Sequence, residues 1–324
     1  MAEADKKSQE SIEVQTGRSI GAIYAVKEIA GRLFLTDALG NHLKAQLVIL
    51  MIANRVIHWT SLPDNIRWLK TQEIESVFGI KSDDLTQNNL DMSLDWLDAN
   101  QYQIERYMLK RYKDDQLELT FLDVTLSYIE GEYIAPDECN TYQDNTKGKK
   151  RIMVGLFLDT QGYPVALRMF EYNSLDFNAV TKRIRNVAKK LGVSRLLYIE
   201  KFGEEKINLR NDKSFDYRDM KSISTTQIQD IPAIQNYTNA YKRRTRARIF
   251  IRMLANLINC EFERLTDHLE GTTQEKWYLL DHLMTVFVKV DEIKISKCAK
   301  PTVEACNILE ALNISIPHNI ETKQ

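Results

Sequence analysis

Apolar positions fall into two rhythms along the chain. From Ile20 to about Gln116 they recur every three or four residues. Leu43, Leu47, Leu50 and Ile57 mark one such stripe, and Leu94, Trp96 and Leu97 continue the style. Gly40 and the run Ser61–Leu62–Pro63–Asp64 punctuate these helices. At Leu117 the period shortens to two. Leu117, Leu119 and Phe121 alternate with Glu118, Thr120 and Leu122, which predicts a strand. Arg151 to Asp159 is apolar on both faces and predicts a central strand. Asp159–Thr160–Gln161–Gly162 predicts a hairpin turn, and Pro164 to Phe170 the returning strand. Phe177, Val180, Ile184, Val187 and Leu191 restore the helical period until Gly192 stops it. Arg195 to Glu200 is a further short strand.

The order strand, hairpin pair, helix, strand predicts a mixed α/β sheet with a crossover helix. Residues 203–236 are polar and weakly patterned. A long amphipathic helix follows from about Asn239 to Leu265, with Phe250, Leu254, Leu257, Ile258, Phe262 and Leu265 on its apolar face. Two more helices are expected at 273–292 and 302–312. The chain thus divides into a disordered polar leader (1–12), a helical N-terminal region (13–115), a sheet-bearing core (116–202), an irregular linker (203–238) and a C-terminal helical region (239–324).

The bulk properties narrow the class. The chain has 324 residues, 44% of them hydrophobic and 27% charged, so most of it is expected to fold. No apolar run approaches the roughly 18 residues of a membrane span. The N-terminus lacks an apolar signal core, so a cytoplasmic location is expected. Cys139, Cys260, Cys298 and Cys306 form no CxxC pair, and free thiols are expected. Net charge is −1, so any DNA-binding surface must come from locally gathered basic residues. Two clusters qualify. Lys242, Arg243, Arg244, Arg246, Arg248 and Arg252 crowd one helix start, where Arg244, Arg248 and Arg252 share a face. Lys147, Lys149, Lys150 and Arg151 form a smaller patch. Each reads either as a phosphate-contacting surface or as a solvated face.

Asp123 ends the apolar stripe of the first strand, and Glu200 ends the last one. A carboxylate in such a place is either a cap for the next turn or one of a pair able to hold a divalent cation. Asp267–His268 and Asp281–His282 lack ligand spacing and do not suggest zinc.

Several ordered motifs resemble one family. Leu122–Asp123–Val124–Thr125–Leu126–Ser127–Tyr128–Ile129–Glu130–Gly131 resembles the "YDVTSSYFEG" segment of insertion-sequence DDE transposases of the "IS four" superfamily, in the subgroup with a long helical N-terminal part. Thr146 to Leu156 is similar to that family's "GKKQIVxGL" strand, Asp159 to Pro164 to its hairpin, and Phe170 to Asp176 to "FeGNTSD". Gly17–Arg18–Ser19–Ile20–Gly21–Ala22 matches "GRSxGA", Asp37 to Gly40 matches "xALG", Leu94–Asp95–Trp96–Leu97 matches "LDWL", and Arg246 to Ile251 resembles "RxAHxFI" with Arg248 in place of histidine.

The resemblance implies an RNase H-like mixed sheet, incomplete here, between helical N- and C-terminal regions. It implies Mg²⁺-dependent cleavage and strand transfer of double-stranded DNA at transposon ends, and a homo-oligomer among the partners. By position Asp123 is the first catalytic aspartate and metal ligand. Glu200, in Tyr198–Ile199–Glu200–Lys201–Phe202–Gly203, stands where the family has the aspartate of "VxDRGM". The helix bearing the third carboxylate has no clear counterpart. The third catalytic ligand is then either missing or Asp230, before Ile231–Pro232, the only acidic residue between Met220 and Cys260. Lys149, Lys150, Arg244, Arg248 and Arg252 are the implied DNA contacts. Two outcomes stay open: an impaired transposase, or a non-catalytic DNA-binding or oligomerising remnant that regulates an intact one.

Overall fold

A computed structural model describes residues 12–58, 65–111, 118–129, 132–134, 150–171, 182, 186–187, 189–191, 195–200, 203–208, 239–290, 293–316 and 319–320. The fold is mixed α/β, with a helical body, a six-stranded sheet and a four-stranded sheet.

The N-terminal half is helical, as its period predicts. Helix α1 (Gly21–Arg32) buries Ala22, Ile23, Ala25, Val26, Ile29 and Ala30, and α2 (Leu35–Leu39) follows after Phe34 at φ +59°. Helix α3 (Leu43–Ile57) is buried nearly all round, so it must lie inside the body. The His42 imidazole caps it, with Nδ1 accepting from the Ala45 N–H at 3.1 Å. Short helices α4 (Asn65–Leu69) and α5 (Ile74–Phe78) lead to α6 (Gln87–Met108). Thr86 caps α6 through the Asn89 N–H.

The C-terminal helix α7 (Asn239–Thr266) has 28 residues and is therefore about 42 Å long. Its Ala247, Phe250, Leu254, Leu257, Ile258 and Phe262 share one apolar core with α1, α3 and α6. The two terminal regions thus fold as one body rather than as separate flanks. Helices α8 (Thr273–Asp281) and α9 (Val303–Ala311) complete it. Trp277 of α8 stacks on Phe262 with ring centres 4.0 Å apart, and its indole N–H donates to Asn259 Oδ1.

The helix expected over 273–292 stops early. It runs only to Asp281, and Met284–Val290 is instead a strand of the four-stranded sheet. Thr285, Val286, Val288 and Val290 are β-branched and outweigh the short helical match. In chain order the strands are β1 (Ile12–Ser19), β2 (Glu118–Ile129), β3 (Glu132–Ile134), β4 (Lys150–Leu158), β5 (Pro164–Glu171), β6 (Arg195–Glu200), β7 (Gly203–Asn208), β8 (Met284–Val290), β9 (Ile293–Cys298) and β10 (Asn319–Ile320). The four-stranded sheet has the order β1-β8-β9-β10. Ile12, placed in the leader by its sequence, already pairs with Val290.

That pairing explains Gly17–Arg18–Ser19–Ile20–Gly21. The β1–β8 register shifts between Thr16 and Ser19, and Thr285 Oγ1 serves the irregularity by bonding Arg18 N and Arg18 O. Ser19 Oγ donates to the Asp281 carbonyl at 2.5 Å, and the Ile20 N–H donates to the Leu283 carbonyl. A Cβ on Gly21 would stand 2.5 Å from the Leu280 carbonyl oxygen and 2.8 Å from Leu283 Cβ. Only a glycine lets these chains approach so closely.

The larger sheet has the order β5-β4-β2-β6-β7, with β3 paired to β2. Strands β2, β4 and β5 are antiparallel neighbours, and β6 is parallel to β2. The predicted hairpin turn is present. Asp159 Oδ1 accepts from the N–H groups of Gln161 and Tyr163, and Gly162 takes φ +84°. Within the expected crossover helix, Lys182, Asn186, Val187 and Lys189–Leu191 are helical, and its other residues lie outside the described ones. The expected linker contains β7, antiparallel to β6. Its sequence, Gly-Glu-Glu-Lys-Ile-Asn, is charged in the manner of an edge strand, which hides it from hydrophobic periodicity.

At the opposite edge, β5 is closed by α6. Gln101 Nε2 donates to the Leu167 carbonyl at 2.9 Å, and the Leu167 N–H donates to Glu105 Oε1 at 3.0 Å. Two side chains one helical turn apart thus satisfy both backbone groups of an edge residue. The Glu105 side chain is wholly buried. It takes two further contacts from Arg168 Nη1, at 2.6 and 2.8 Å, and one from Gln101 Nε2 at 2.8 Å. Burial pushes its carboxyl above the usual range, against the pull of these donors.

Two glycines of α1 distinguish packing from propensity. A Cβ on Gly31 would meet nothing closer than Thr36 Oγ1, at 3.7 Å, in contrast to the crowding at Gly21. Gly21→Ala should destabilise the fold by about 1–3 kcal/mol through overpacking. Gly31→Ala should stabilise it by about 0.5–1 kcal/mol through helix propensity. Urea midpoints at unchanged m-value measure both, and equal effects of one sign would contradict the β1–α8 junction.

Candidate functional site

The candidate site lies where β2 and β6 run side by side. Their parallel register pairs Glu118 with Arg195 and continues to Leu122 with Ile199. The next residues on the two strands are Asp123 and Glu200. Adjacent strands are about 4.8 Å apart, so the two backbones carry these carboxylate residues at neighbouring register positions. Asp123 also pairs with Gly155 of β4, and Gly155 with Arg168 of β5. Arg168, Gly155 and Asp123 therefore form one row across the sheet, with Glu200 following on the next strand.

One expectation about Asp123 is corrected. It does not end its strand but is the sixth of twelve residues in β2. The strand continues because β4 pairs with it as far as Tyr128 and β3 as far as Ile129. The parallel pairing with β6 is what ends near Asp123. Glu200 does end β6, and it pairs with Gly203 of β7. Asp230 lies outside the described residues, as does Lys149. Lys150 opens β4, opposite Tyr128.

The arginines of α7 are not a row of free cations. Arg244 lies between two carboxylates of α6, with Nη1 2.7 Å from Asp91 Oδ2 and Nη2 3.0 Å from Asp95 Oδ2. Arg246 makes a bidentate pair with Asp98, at 2.7 and 2.6 Å. Arg243 reaches Asp95 at 3.9 Å. Hydrogen bonds donated to Asp95 and Asp98 hold the Arg244 and Arg246 guanidinium groups still more firmly protonated. Arg248 is half-buried and Arg252 is buried, at 7% exposure. The stripe expected to face phosphates is thus turned partly into the body.

Sequence reasoning misses the partners of this stripe, although their signal is there. Asp91, Asp95 and Asp98 are spaced four and three apart, on one face of α6. The Leu94–Asp95–Trp96–Leu97 and Arg246–Ile251 motifs lie on these two helices. Asp95 meets Arg243 and Arg244 just before the second motif, and Asp98, just after the first, meets Arg246.

Several other titratable groups among the described residues tie one element to another. Glu261 accepts from the Tyr163 hydroxyl at 3.0 Å and pairs with Arg264, which fastens α7 to the hairpin tip. Asp281 accepts from Ser19 and Gln72 and lies 3.8 Å from His58 Nε2. It belongs to the β1–α8 junction. Cys260, Cys298 and Cys306 are free thiols, and burial pushes Cys260 up to about 12, where it is unreactive. Among the described residues no group of three or more His, Cys, Asp and Glu side chains is placed to hold a metal ion. Nor is any helix among them long and apolar enough to cross a membrane.

No protein-family model, curated protein or solved structure matches this chain.

The ion pairs differ in worth. Asp98 is nearly buried and bidentate, whereas Arg243 and Asp95 are partly exposed and distant. A double-mutant cycle should give Asp98–Arg246 a coupling of about 1 kcal/mol or more, and Asp95–Arg243 about 0–0.5 kcal/mol. Equal couplings would contradict the geometry.

Proposed function

We propose that the chain is a DDE transposase-like protein that binds insertion-sequence DNA and does not complete cleavage and strand transfer by itself. The observation that carries the reading is the β2–β6 register, with Asp123 and Glu200 following the Leu122–Ile199 pair. The strand order supports it too. Three antiparallel neighbours followed by a strand parallel to the first is a mixed sheet compatible with the RNase H-like expectation.

Two carboxylates from adjacent strands are an oxygen-only donor pair, which suits a hard cation such as Mg²⁺. Asp123 and Glu200 would hold one such ion. When bound, it supplies Lewis-acid stabilisation at a scissile phosphate. Together they offer four carboxylate oxygens, and Glu200 reaches from one methylene further than the aspartate it replaces. Two divalent ions about 4 Å apart need more negative charge than this to hold them in line. The reading is therefore weak binding of one ion, with DNA affinity outlasting catalysis. The regulatory reading, a binding module without chemistry, is favoured by the body itself: α1, α3, α6 and α7 share a core that asks nothing of the carboxylate pair.

Purified protein given Mg²⁺ or Mn²⁺ and its own element ends should bind them but yield no strand-transfer product. Metal-dependent cleavage that disappears in Asp123→Ala would overturn the impaired reading. Absence of DNA binding at low salt would overturn the transposase-like reading altogether.

A further inference from the structure

The acidic row of α6 and the arginine row of α7 are matched in number and reach. Along α6, Asp91, Asp95 and Asp98 rise by about 6 and 4.5 Å. Each of Arg243, Arg244 and Arg246 meets one or two of them. From Asn239 to Arg252, α7 carries six cations and no carboxylate. Its N-terminal end adds the positive pole of the helix dipole. A guanidinium fork accepts a carboxylate and a phosphate in the same bidentate geometry.

We propose that Asp91, Asp95 and Asp98 stand in for nucleic-acid phosphates on Arg243, Arg244 and Arg246, so that a DNA backbone binds α7 by displacing them. This rests on the DNA-binding reading above and adds to it an intramolecular competitor.

Three observations carry the step. First, the seam is reachable: the side chains of Arg243 and Arg246 are 48% and 43% exposed. Second, it is not what joins the helices. Leu90, Leu94 and Leu97 of α6 and Ala247, Phe250 and Leu254 of α7 lie in the same buried core. Third, the exchange is offset by ion release. The partly exposed pairs of Arg243 and Arg244 are worth about 0–1 kcal/mol each and Asp98–Arg246 about 1 kcal/mol or more, whereas each phosphate neutralised releases condensed counterions. The acidic row therefore lowers affinity for isolated phosphates more than for a continuous DNA backbone, which meets several arginines at once.

The test compares the wild-type chain with Asp91→Asn/Asp95→Asn/Asp98→Asn on a duplex of about 20 base pairs across a salt series. The variant should bind more tightly, and its log–log salt slope should be steeper by about 0.9 for each arginine released. Adding Arg243→Ala/Arg244→Ala/Arg246→Ala in the same background should remove the gain. Wild-type binding with no gain in the variant overturns the competition and leaves the DNA reading standing. Binding by neither protein overturns both. If the triple variant does not fold, Asp91→Asn/Asp95→Asn, which keeps the bidentate Asp98–Arg246 pair, should show a smaller gain, and no gain there overturns the proposal equally.

Discussion

The carboxylate of Glu105 has no access to water, and much of the sheet depends on how that is tolerated. An ionised carboxylate in such a place costs several kcal/mol unless donors surround it. Here Gln101, Leu167 N–H and Arg168 surround it, and two of those groups belong to the edge strand β5. The cost of burial therefore becomes a constraint on where β5 sits against α6. Leu167 is pinned to α6, and across the sheet Arg168 lies opposite Gly155, Gly155 opposite Asp123, and the parallel strand β6 carries Glu200 at the register position beside Asp123. A helix of the N-terminal half thus packs on the sheet that carries the candidate site.

The same helix serves both halves of the body. Its polar side holds the arginines of α7, and Leu94 and Leu97 lie in the core that α7 shares. At the far end of the body, β1 and α1 meet β8 and α8 through Ser19, Gly21 and Thr285. The first and last parts of the chain are joined twice, by the apolar core that α6 shares with α7 and by close backbone approach near β1.

Much of this is legible in the sequence wherever one pattern acts alone. Strands β4, β5 and β6 and helix α7 follow their apolar periods to within a residue or two. The turn at Asp159–Gly162 follows from its side-chain chemistry. The losses come where local signals compete with tertiary ones. Strand β8 sits directly after a capped helix, and only its β-branched residues betray it. Strand β7 carries the charges of an exposed edge. The arginines of α7 read singly in the sequence, because their partners lie about 150 residues away. Glu105 carries no signal at all, because nothing in a polar helix face tells which glutamate is buried. Asp123 and Glu200 both stand out in the sequence, yet that they adjoin follows only from a parallel register that no local window contains.

The proposal of a single cation site at Asp123 and Glu200 is tested most directly by metal-tethered cleavage. Iron(II) can replace magnesium at such oxygen ligands, and with ascorbate and peroxide it cuts the backbone near where it is bound. Cuts are expected at two places distant in sequence, around Asp123 and around Glu200, suppressed together by excess Mg²⁺ and by Asp123→Ala. Cuts at only one of the two, or at neither, would contradict the shared site.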